Sequence, residues 1–204
     1  MSTVTISDTP FVGNDRLLVG IVLSVLTFWL FAQSVINVVP AMKSSLDISL
    51  ETLTLAVSLS ALFSGCFVVA SGGLADKLGR MRMTTLGLGL SIVGSAMLVV
   101  AQGPGLFLAG RVLQGLSAAC IMPATLALIK TWYEGRARQR AVSFWVIGSW
   151  GGSGLCSFVG GAIATGLGWR WIFVFSIAVA LLALFLLRGT PESRSASASQ
   201  HKLD

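Results

Sequence analysis

Long apolar runs separated by short polar gaps set the pattern of this chain. Six runs cover residues 17–39, 52–71, 83–101, 107–129, 141–167 and 171–187. Each lies near the ~20 apolar residues that a helix rising about 1.5 Å per residue needs to cross about 30 Å of hydrocarbon. The gaps, residues 40–51, 72–82, 102–106, 130–140 and 168–170, are short, so successive helices must run antiparallel. Lipid offers backbone groups no partners, which leaves only helices or closed barrels as spanning structures. Barrel strands are about 10 residues long and alternate in polarity, and these runs are too long and too evenly apolar for that. The pattern predicts an all-α integral membrane protein of six transmembrane helices. Residues 1–16 precede the first span, which is too long for a signal-peptide core and reads as uncleaved. Residues 188–204, rich in Ser and Ala, read as a flexible linker or tail.

Composition narrows the class further. Of 204 residues, 54% are hydrophobic and only 11% charged, against about 25% charged in a soluble domain. That excludes an ordinary soluble domain and, for most of the chain, disorder. The formal net charge of +6 would suggest nucleic acid in a soluble protein. Here the bases sit in the gaps, so membrane topology accounts for them and no nucleic-acid partner is expected. With both termini cytoplasmic, the inner side holds Arg16, Lys77, Arg80, Arg82, Lys130, Arg136, Arg138, Arg140, Arg188, Arg194 and Lys202, and the outer side only Lys43 and Arg170. The excess of Lys and Arg on one side predicts that orientation. Trp169 with Trp171, and Trp132 with Tyr133, fall where interfacial aromatic belts lie. Cys66, Cys120 and Cys156 lie in apolar runs without metal or disulfide spacing, and His201 stands alone. No P-loop, nucleophile–base pair or metal cluster is legible, so neither an enzyme nor a cofactor is expected.

Three stretches carry candidate chemistry. Gly72-Gly73-Leu74-Ala75-Asp76-Lys77-Leu78-Gly79-Arg80-Met81-Arg82 fills the gap after the second run. Its glycines suit a tight bend and close helix approach, and Asp76 among Lys77, Arg80 and Arg82 can form a charged latch. Arg111 lies inside the fourth run, where a charge is expensive and faces a cavity or a partner. Gln114 and Gly115 share its helix face. Gly148, Gly152, Cys156 and Gly160 recur every four residues in the fifth run, a small-residue stripe for close packing, and Gly161 extends it. A drug-sized apolar cavity would draw on Phe28, Trp29, Gln33 and Asn37 of the first run, and on Trp145 and Trp150 of the fifth. Gln33 and Asn37 share a face and need partners inside the bundle. No Asp or Glu lies inside any of the six runs.

These motifs together resemble the major facilitator superfamily, and within it the fourteen-helix drug:proton antiporters. Gly72, Leu74, Ala75, Asp76, Gly79 and Arg80 match the loop signature G-x-L-A-D-x-x-G-R; Arg111 to Gly115 match the span-four motif. Gly152, Gly160 and Gly161 fit the span-five antiporter motif, and Trp169-Arg170-Trp171-Ile172-Phe173 is similar to the segment before span six. The resemblance implies the N-terminal half of a two-lobed transporter in a bacterial cell membrane, with the C-terminal half missing. It implies proton-driven export of small amphipathic or cationic drugs, quinolones among them, with a gating role for the Asp76 loop and a proton-coupling role for Arg111. Cys156 and Ser157 depart from the Gly-Pro of the antiporter motif, so a proline-dependent kink is not expected there. The rival readings are a superfamily importer of a small metabolite and an inactive or structural membrane fragment.

Overall fold

The computed structural model describes residues 11–194, apart from the side chains of Phe31 and residues 33–37. Helix α1 spans Asp15–Leu46, α2 Leu50–Leu78, α3 Arg80–Val100 and α4 Pro104–Trp132. Helix α5, Gly135–Val146, continues through a π-helical turn, Ile147–Gly151, into α6, Gly152–Gly166; α7 spans Arg170–Leu187. Among the described residues five stretches are long and apolar enough to cross a membrane: α2, α3, α4, the Gly135–Gly166 rod and α7. Helix α1, at 32 residues, carries the first apolar run.

The helices overrun the apolar runs at most ends. Helix α1 continues through Pro40 to Leu46, so the turn to α2 is only a few residues and opens with Asp47 at a left-handed φ of 49°. Within a membrane helix, neighbouring groups can re-satisfy the carbonyl that a proline frees. The gap at residues 72–82 is mostly helix as well. Helix α2 ends at Leu78 and α3 begins at Arg80, with Gly79 between them at φ 124° and ψ 135°. The rest of the glycine-rich segment stays helical, because buried backbone donors and acceptors find partners most simply by extending a helix.

Helix α4 is the most enclosed of the apolar rods and α2 the least. Glycine sets the closest approaches around it. A Cβ at Gly94 would lie 2.9 Å from the Gly110 carbonyl oxygen, and one at Gly110 would lie 3.0 Å from the Gly94 carbonyl oxygen. The backbones of α3 and α4 therefore touch, as small residues permit in lipid. One hydrophobic cluster joins Leu53, Ala56, Leu98, Phe107 and Phe173; a second joins Leu17, Ile21, Leu88, Leu128 and Ala180.

Helix α3 has no acid in its first turn, no base in its last and no capping side chain of its own. The first residue of α7 and the segment after α7 supply both. At one end, Glu192 accepts from the backbone N–H of Met81 at 2.9 Å and of Arg82 at 3.0 Å, while Arg80 N–H donates to the Ser193 carbonyl at 3.0 Å. At the other end, Arg170 donates to the carbonyls of Val99 at 3.1 Å and Ala101 at 3.0 Å. An anion thus sits at the helix N-terminus and a cation at its C-terminus, the favourable sense of the helix dipole. The segment after α7, read from sequence as flexible, is docked at Glu192 and Ser193 for this reason.

The aromatic residues expected at the two interfaces differ in their surroundings. Trp169 is buried edge-to-face against Phe173 at 6.1 Å, with the Arg170 guanidinium over its ring, whereas Trp171 is exposed. Tyr133 is buried too, and its hydroxyl donates to the Asn14 carbonyl at 2.6 Å. Burial, chiefly, with the nearby Asp15 carboxylate, pushes that phenol up to about 12, so it keeps the proton it donates.

Candidate functional site

The latch segment closes on one arginine. Arg80 donates to Asp76 Oδ1 from Nη2 at 2.9 Å and from Nε at 3.2 Å, and its Nη1 donates to Thr131 Oγ1 at the end of α4. Thr131 passes its own proton to the Ala127 carbonyl at 2.9 Å. Helices α2, α3 and α4 are thereby tied at one corner. Arg82 lies 3.9 Å from Glu192, and Lys77 is exposed. Glu192 is a member that sequence reading missed, because nothing in its neighbourhood signals a cap 110 residues away.

The glycines of this segment are not equivalent. Gly79 makes the bend, and a Cβ there would meet the Glu192 carboxyl at 2.4 Å. Gly72 faces Pro123 at an ordinary 3.5 Å, and nothing described lies within 4 Å of a Cβ on Gly73. Ala75 is buried beside Met83, Cys120 and Ala124, while Leu74 is exposed.

The second constellation is internal. Arg111 is fully buried, and together with Gln114 it ties α2, α3 and α4. Its Nη1 donates to Gln114 Oε1 at 2.8 Å, its Nη2 to Ser60 Oγ at 2.8 Å and its Nε to the Ala56 carbonyl at 3.3 Å. Gln114 in turn donates from Nε2 to Ser95 Oγ at 3.2 Å. Gly115 makes this possible: a Cβ there would lie 2.5 Å from the Ser60 carbonyl oxygen and 3.1 Å from Ser60 Cα. Gln114, Ser60 and the Ala56 carbonyl are neutral acceptors, and intramembrane charges must be satisfied within the protein. Ser60 and Ser95 were missed from sequence, since serines scattered in apolar runs carry no signal of what they face.

In the fifth span, Gly148, Gly152, Cys156 and Gly160 are all buried. The first three meet α1. A Cβ at Gly148 would lie 3.2 Å from Val22, one at Gly152 would lie 2.8 Å from Leu26 and 3.0 Å from Trp29, and the Cys156 thiol lies 3.9 Å from the Leu26 carbonyl. Gly161 meets nothing described within 4 Å, and Ser157 is half-buried. The π turn precedes Cys156 and Ser157, so this helix departs from regularity without a proline.

The cavity candidates separate. Phe28 and Trp29 are half-buried and pack edge-to-face at 5.0 Å. Trp145 donates to Thr125 Oγ1 at 3.1 Å and so braces α5 against α4, while Trp150 is exposed. The side chains of Gln33 and Asn37 lie outside the described residues. Two adjoining hollows of about 350 and 320 Å³ share Asp15, Leu18 and Arg140 beside α5, and none of the four described aromatic candidates lines them.

Residues 17–203 match the family described as Major Facilitator Superfamily. The chain belongs to the major facilitator superfamily. As a superfamily chain it is a multi-pass membrane protein whose relatives are transporters rather than enzymes. It is 60% identical over 198 residues to the Quinolone resistance protein NorB of Staphylococcus aureus, in strain JH9 and likewise in strain Newman. That match takes in 97% of this chain and 43% of the staphylococcal protein. The chain therefore spans less than half the length of the curated relatives it matches. Among solved structures, a peptide transporter POT superposes with a TM-score of 0.75 at 17% identity, covering 91% of this chain and 42% of that one. A D-xylose-proton symporter superposes equally well, at 0.75 and 17%, over 93% of this chain and 53% of that one. At such identities these two establish the superfamily fold and nothing finer.

Proposed function

We propose that this chain is the N-terminal, six-helix lobe of a proton-driven multidrug exporter that handles quinolones and other amphipathic or cationic drugs. The observation that carries the reading is 60% identity to a quinolone resistance protein over nearly the whole chain. The Asp76–Arg80 corner at the α2–α3 turn supports a gate, and the buried Arg111 supports a coupling element. Alternating access in this fold moves one lobe against another around a central site, so the partner required is a second, C-terminal lobe. Both termini lie in the cytoplasm on this reading, because eleven of the 14 Lys and Arg fall on that side.

The test expresses two proteins in a drug-susceptible host: the 204-residue chain alone, and the chain joined to the remaining portion of the staphylococcal relative. The two-lobed protein raises quinolone resistance and drives dye accumulation in everted vesicles when a proton gradient is applied; the chain alone does neither. Gradient-driven movement of a sugar or metabolite in the import direction, with no effect on drugs, would establish the importer instead. Full resistance from the single lobe would refute the need for a partner. Orientation has its own check. In the two-lobed protein, Lys77→Cys stays unlabelled by an impermeant thiol reagent added outside intact cells and becomes labelled once they are opened. Labelling from outside would reverse the orientation.

A further inference from the structure

Arg111 meets α2 at two points one turn apart, the Ala56 carbonyl and the Ser60 hydroxyl. The two contacts differ in kind. The carbonyl belongs to the backbone and is present whatever the side chains. The hydroxyl is specific to Ser60, and its own proton is already committed to the Val57 carbonyl at 2.9 Å. That commitment turns the oxygen lone pairs toward the guanidinium, so Ser60 serves Arg111 as a fixed acceptor. On the opposite side Gln114 takes Nη1, and Ser95 holds Gln114 in turn. The guanidinium plane is therefore pinned between a serine of α2 and a glutamine of α4, with a serine of α3 behind it. The pin works because α2 and α4 are in backbone contact at Gly115 and Ser60.

We infer that Ser60 is a positioning residue of the transporter: it sets the orientation in which the Arg111 charge acts during proton coupling. The inference rests on the reading that Arg111 takes part in coupling, and it adds the α2 side chain that holds the charge in its direction. Losing the hydroxyl leaves one N–H of a buried guanidinium without that acceptor, and the side chain turns to other acceptors nearby. Drug binding and lobe movement remain, while the link to the proton gradient weakens.

The experiment compares Ser60→Ala and Ser60→Thr in the two-lobed protein reconstituted in vesicles. Two rates are read: drug transport driven by a proton gradient, and gradient-free exchange of drug across the membrane. In Ser60→Ala the driven rate falls about three- to tenfold, the range of one interhelical hydrogen bond in a membrane, while exchange stays within about twofold of wild type. Ser60→Thr keeps the hydroxyl and most of the driven rate. A merely structural serine would lower both rates together, and that result in Ser60→Ala overturns the inference. An unchanged driven rate in Ser60→Ala also overturns it, as does equal impairment of the driven rate in both variants. Absence of any gradient-driven transport in wild type fails the parent reading, an outcome distinct from a wild type that couples and a Ser60→Ala that couples equally well.

Discussion

Arg111→Ala in the two-lobed protein is expected to abolish gradient-driven drug export and to lower the thermal stability of the lobe. The side chain is wholly enclosed, so its removal exposes nothing to water that could replace it. Gln114 Oε1, Ser60 Oγ and the Ala56 carbonyl each lose a donor at once. Hydrogen bonds to charged groups contribute about 1.5–3 kcal/mol each in soluble proteins, but interhelical bonds in membranes average nearer 0.6 kcal/mol. A total of about 2–3 kcal/mol, including the space left behind, follows from the lower figure. Arg111→Lys is expected to rescue little. A single ammonium cannot reach Gln114, Ser60 and the α2 carbonyl together, as the planar fork does. Drug susceptibility of cells and unfolding in detergent, measured on both variants, check the two halves of the expectation. Wild-type export by Arg111→Ala would mean that the buried cation is structural only.

Gly115→Val is expected to be the most damaging single substitution at a helix contact, because the nearest atom it strikes is a backbone carbonyl oxygen. The first added carbon would lie 2.5 Å from the Ser60 carbonyl oxygen, 3.0 Å from Phe63 Cβ and 3.1 Å from Ser60 Cα. No rotamer change relieves such a contact, so α2 must move off α4. Overpacking costs about 1–3 kcal/mol where side chains can adjust, and here the upper end applies. The same displacement carries Ser60 away from Arg111, so loss of stability and loss of coupling arrive together. Gly73→Ala and Gly161→Ala provide the contrast, since an added carbon at either meets nothing described within 4 Å. Membrane yield and detergent melting should be near wild type for those two and sharply reduced for Gly115→Val. Equal tolerance at all three positions would contradict the backbone contact.

The signature glycines show where reading by pattern stops. Gly72, Gly73 and Gly79 look alike as turn-formers in sequence, yet only Gly79 occupies a conformation that side chains avoid. Gly115 and Gly94 sit in helices, where a glycine gives no hint of its neighbour, and both are places where two backbones touch. Arg111 and Gln114 were legible because a charge and an amide in an apolar run demand partners. Ser60 and Ser95 were not, because a hydroxyl in a helix can satisfy itself on its own preceding turn, as Thr125 and Ser24 do here.

The amino-acid order alone determined that the chain spans a membrane repeatedly as helices. In hydrocarbon every backbone group must find its partner within the protein, and runs too long and too evenly apolar for barrel strands can do so only as helices. Only the tertiary structure decided which groups meet: Ser60 with Arg111 across 51 residues, and Glu192 with the start of α3 across 110. Those pairings depend on how near two helices lie and how they are rotated, and that is set by packing at a few glycines. A local run of residues carries no information about a contact whose other half lies on a different helix.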